Sequence, residues 1–141
     1  MKIPEHRGAV AVLLACATLM LAAPRAAAHH AFAAEFDVKR PIKLRGTVVK
    51  MEWINPHSWI HLAVKGTDGK SVLWMIEGGS PNALLRLGFN ETALPPGSEI
   101  VVEGFQAKDG TNKGVGQSIA FADGRKLFLG GSAPGANGDG K

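Results

Sequence analysis

The sequence predicts a mainly β domain: a small five-stranded OB-like barrel with one short helix between its third and fourth strands. Three observations lead there. Glycine, proline and short polar clusters cut the chain beyond residue 40 into pieces of strand length. A single helix signal falls between the third and fourth of those pieces. The first piece is long and changes its hydrophobic phase midway, as a strand does when it bends to serve both halves of a closed sheet. A generic small β-sandwich with a helical insertion is the competing architecture.

The first strand runs from Ile42 to about Trp53. Its apolar residues hold even positions at first (Ile42, Leu44, Val48) and odd positions later (Val49, Met51, Trp53), so a bulge or bend is expected at Val48-Val49, shortly after Gly46. After Asn55-Pro56, Ser58 to Lys65 alternates as a second strand. Asp68-Gly69 is a hairpin turn, and Ser71 to Glu77 is a third strand, apolar on both faces. Ser80 reads as a helix N-cap with Pro81 at the first helical position, where a missing N–H costs nothing. Gly88 closes that helix. Glu99 to Ala107 and Val115 to Ala122 are the fourth and fifth strands, and Asp123-Gly124 allows a last turn into Lys126 to Leu129. From Gly130 to Lys141 the composition predicts a disordered tail, removable with little loss of stability.

The N-terminus reads as a targeting segment. Lys2 and Arg7 precede an apolar run from Ala9 to Ala23, too short for a bilayer span of about 20 residues but suited to a signal peptide. Cleavage after Ala28 places the small residues Ala26 and Ala28 at the third and first positions before the bond. Cleavage one or two residues earlier would put Arg25 or Pro24 third. The expected domains are a cleaved signal peptide over 1–28, one β domain with an N-terminal arm over 29–129, and the tail over 130–141. The mature chain would begin at His29 in the periplasm, with no stable membrane span.

Cys16, the single cysteine, falls inside the apolar run. A mature chain without it has no disulfide, cysteine nucleophile or zinc knuckle. Loss of Lys2, Glu5, Arg7 and Arg25 lowers the formal charge from +4 to +2. The remaining basic residues are scattered, which argues against nucleic acid as a partner.

Three stretches together carry a resemblance: His29-His30-Ala31-Phe32-Ala33-Ala34-Glu35-Phe36-Asp37, Met51-Glu52-Trp53-Ile54-Asn55-Pro56-His57-Ser58-Trp59, and Gly104-Phe105-Gln106-Ala107-Lys108-Asp109-Gly110. The chain resembles a family of small exported bacterial proteins known only as a domain of unknown function. The resemblance implies an exported β domain and supplies no catalytic residue.

Histidines give the candidate sites. A histidine at a free amino terminus can chelate copper through its amine and imidazole, and nitrogen-rich tetragonal sites suit Cu(II). His29, His30 and His57 are therefore the candidate metal residues, with copper the one cofactor considered. His57 and His61 cannot reach one ion together, because four residues along a strand span about 13 Å at ~3.3 Å each. His57, Trp59 and His61 should instead share a face opposite Ile60, Leu62 and Val64, forming a stripe for a small ligand or for a periplasmic or membrane-associated partner protein. Among the carboxylates Glu35, Asp37, Glu52 and Glu77 no spacing selects an acid–base pair. No nucleophile elbow, phosphate loop or metalloprotease helix is present, so no catalytic residue is assigned. The first expectation is a non-enzymatic periplasmic binding module, the second a copper-binding protein, and the third a small periplasmic enzyme.

Overall fold

The computed structural model describes residues 32–138; residues 1–28, expected to form a signal peptide, and His29 and His30 lie outside them. Residues 32–35 form a short helical turn. It leads directly into β1 (Phe36–Glu52), followed by β2 (Trp59–Lys65), β3 (Ser71–Glu77), α1 (Pro81–Arg86), β4 (Glu99–Ala107), β5 (Lys113–Phe121) and β6 (Lys126–Phe128). The order across the sheet is β3-β2-β1-β4-β5-β6, antiparallel throughout except where β3 also pairs in parallel with β5. That last pairing joins β1, β2, β3, β5 and β4 into a ring. β6 stands outside it as a short sixth strand.

β1 begins six residues earlier than its apolar periodicity suggests. Val38, Lys39 and Arg40 are exposed, so no alternation marks this stretch, although Phe36 pairs with Ala107 before the register slips and resumes at Pro41 opposite Phe105. The phase change falls where it was expected. The register with β2 shifts between Val48 and Lys50, leaving Val48 buried and Val49 half exposed. Such a bulge turns the strand and exchanges its inner and outer faces. The strands also approach closely at Gly46, where a Cβ would fall 2.5 Å from the Ala63 carbonyl oxygen.

The main core fills the ring. Val48, Ile60, Leu62, Ile76, Ile100, Val102 and Ile119 come from the strands, while Leu84 of α1, Phe89, Leu94 and Leu129 close one end. The helix starts as its sequence predicts: the Ser80 hydroxyl accepts the Ala83 N–H at 3.3 Å, Pro81 takes the first turn, and Gly88 adopts φ 80° just beyond the Leu87 cap.

A second, smaller core lies outside the ring. Phe32, Phe36, Ala107, Val115, Ala133 and Ala136 pack together, with Phe105 against them. Composition predicts disorder for residues 130–138, whose Ala133 and Ala136 take part in this core. Gly130 N–H donates to the Ala136 carbonyl at 2.8 Å, and the Gln117 side chain donates to the Pro134 carbonyl at 2.8 Å. Composition predicted disorder because the segment carries no large apolar residue; two buried alanines and backbone hydrogen bonds suffice to seat it. Residues 139–141 lie outside the described range.

Candidate functional site

Register places the chemistry on the outer face of β1, β2, β3 and β5, in two adjacent rows. Lys50, His61, Met75 and Lys113 form the first; Glu52, Trp59, Glu77 and Val115 form the second. In an antiparallel pair such opposite residues carry Cβ atoms about 4.5–5.5 Å apart, so along β1, β2 and β3 the neighbours in each row are within reach of one another.

The second row ends in a charged corner. Val115 belongs to the outer apolar core, and Glu77, its register neighbour, is only 3% exposed. Burial pushes the Glu77 carboxyl above its ordinary value; the negative charge of Glu35 adds to this, while His57 and Lys113 oppose it. His57 precedes β2, in the loop that holds the cis Asn55–Pro56 bond. Its Nδ1 stands 3.1 Å from Glu77 Oε1, and its ring is half exposed. Lys113 pairs with Glu35 and lies over the Trp59 ring, 5.0 Å from the centroid, with the Phe36 ring 5.9 Å away on another side. A cation over an aromatic face is held by the ring quadrupole as well as by its carboxylate.

The helical turn at residues 32–35 is tied to this corner. Lys108 N–H donates to the Glu35 carbonyl at 3.0 Å, and the Lys108 ammonium bonds the Ala33 carbonyl. Glu35 is thereby fixed where it can hold Lys113. The corner presents an imidazole, an ammonium, two carboxylates and an indole within one patch, a set able to recognise a polar ligand or an amphipathic protein surface.

The stripe expected from His57, Trp59 and His61 is only partly assembled. Ile60 and Leu62 face inward as expected. Trp59 is half exposed, and His57 flanks it by way of Glu77 rather than by strand alternation. His61 belongs to the same face, but it is 8% exposed and contributes little open surface. Its Nε2 lies 3.2 Å from Glu52 Oε1 without hydrogen-bond alignment. The two histidines thus serve different carboxylates. Among the described residues, no three histidine, cysteine, aspartate or glutamate side chains converge as a metal site. No described helix is long and apolar enough to cross a membrane.

Sequence reasoning named Glu35 and Glu77 without a reason to choose them, and it missed Lys113 altogether. A signal for part of this was present. Trp59 and Glu77, like His61 and Met75, are equidistant from Asp68 at the hairpin tip, so folding the turn sets them opposite each other. Lys113 carries no such signal, because the parallel β3–β5 contact joins strands separated by the helix and β4.

Fold and corner together define a small, mainly β domain with one polar patch on the outside of its strand ring. The chain belongs to a family of unknown function, DUF6152, whose model matches residues 16–117. No curated protein matches it, and no solved structure does.

Proposed function

We propose that this protein is a periplasmic, non-enzymatic binding module, exported by a signal peptide cleaved after Ala28, and that its strand ring is an OB-like barrel. Its occupant is a small ligand or a periplasmic or membrane-associated protein, held at the corner of His57, Trp59, Glu77 and Lys113. One observation supports this above the rest: Glu77 is nearly buried yet faces the half-exposed His57 ring at 3.1 Å. Keeping a carboxylate out of water is unfavourable unless partners hold it, and here the partners open onto solvent. Ligand surfaces on the outer strands suit an OB-like barrel.

The test is site-specific photocrosslinking in cells. A photoreactive phenylalanine analogue replacing Trp59 should give one discrete adduct. The same analogue at Leu85, exposed on α1, should give none. Equal adducts at both positions would refute the reading.

Copper is a second reading, favoured by the same pair. A carboxylate beside Nδ1 favours a proton there and leaves Nε2 of His57 as a ligand, the arrangement common among metal-bound histidines. His29 and His30 would supply the remaining nitrogens. A chain starting at His29 should then bind one Cu(II) far more tightly than one extended by a single residue, and His57→Ala should weaken it. Competitive titration with electron paramagnetic resonance reads both effects; equal affinity for the two termini would contradict this reading.

A further inference from the structure

The first row of the same face holds a constellation that neither reading uses. His61 stands directly opposite Met75 on β3 and directly opposite Lys50 on β1. With Cβ atoms about 4.5–5.5 Å apart, its imidazole and the Met75 thioether leave the sheet side by side. The His61 side chain is only 10% exposed, and its Nε2 is sealed from solvent with no hydrogen-bond partner. A buried nitrogen left in that state calls for an explanation.

The position of Glu52 offers one. Its Oε1 lies 3.2 Å from His61 Nε2, off the line a hydrogen bond needs. Two nitrogen or oxygen donors of a single ion can stand this close, since zinc, for comparison, is bound by such donors at about 2.0–2.2 Å. We propose that His61 and Met75, with Glu52 as a weaker third donor, bind one soft monovalent metal ion of the Cu(I) type. A thioether selects soft ions, and imidazole suits copper. Harder divalent ions would want more oxygen donors than this patch provides. Lys50 now pairs with Glu52 Oε1, so the ion takes the place of that ammonium. The site shares no residue with the terminal copper reading and does not depend on it.

The probe is Ag(I), a redox-stable soft monovalent ion, titrated into the mature chain with the methionine methyls and histidine rings followed by NMR. One equivalent should shift Met75 and His61 and leave Met51, which pairs with Ile60 and packs against the core inside the ring, unmoved. Met75 is 37% exposed, so Met75→Leu keeps the fold and should weaken binding by about tenfold or more. Lys50→Gln should tighten it, because the competing ammonium is gone. Equimolar Zn(II) should not displace the silver. Unmoved Met75 signals, or equal silver affinity in Met75→Leu, would overturn the proposal.

Discussion

At the scale of single residues, Glu77 makes a prediction with a definite sign. Its carboxyl is held above the usual glutamate value, chiefly by burial. The folded protein therefore retains that proton at a pH where the unfolded chain has lost it. Stability contributed by this group is present below the ordinary value of 4.5 and declines as pH rises toward the folded one. Glu52, Glu103, Asp109 and Asp123 are shifted the other way, by hydrogen bonds to Lys50, to Lys43 and Lys126, to Thr111 and to Arg125 respectively. The bare pH profile mixes both signs, so the difference between proteins isolates one. Glu77→Gln should gain stability relative to the parent as pH rises from 4.5 toward neutrality. Denaturant unfolding at several pH values measures it. A difference that stays constant, or falls, would show that Glu77 is not held in its protonated form by burial.

Among the elements, the β1–β2 contact and α1 carry the sharpest expectations. A methyl group on residue 46 would meet the Ala63 carbonyl oxygen, a backbone atom that cannot step aside. Gly46→Ala should cost about 1–3 kcal/mol, as overpacking does, and a melting curve within one degree of the parent would contradict this. Leu84 is the residue by which a two-turn helix closes the core. Leu84→Ala should cost about 2–5 kcal/mol, checked by the same unfolding measurement. These elements were legible in the sequence because local signals marked them: Asp68-Gly69 for the hairpin, Ser80-Pro81 for the helix, a phase change for the bulge. The start of β1 was not legible. Val38, Lys39 and Arg40 are exposed and fall in the register slip between the Phe36–Ala107 and Pro41–Phe105 pairs, so no apolar pattern marks them.

For the whole molecule, long-range packing decides what local pattern cannot. The outer core joins residues from both ends of the described chain, Phe32 and Phe36 with Ala133 and Ala136, and no window of sequence contains both. For that reason the tail read as dispensable. Deleting residues 130–141 should now lower the melting temperature by several degrees, since about 1 kcal/mol moves a domain of this size by 4–8 °C. An unchanged melting temperature would restore the view that the tail is incidental. That same outer core includes Val115, the register neighbour of Glu77, so fold and candidate site are coupled through it.

The most direct test of the binding corner repeats the photocrosslinking at position 59 in a chain that also carries His57→Ala. The charged corner, not the half-buried aromatic alone, is held to select the occupant. Adduct yield should fall by about tenfold, as losing roughly 1.4 kcal/mol of binding implies, while the melting temperature of the variant stays near that of its parent. An adduct of undiminished yield would contradict the assignment of this corner as the binding site.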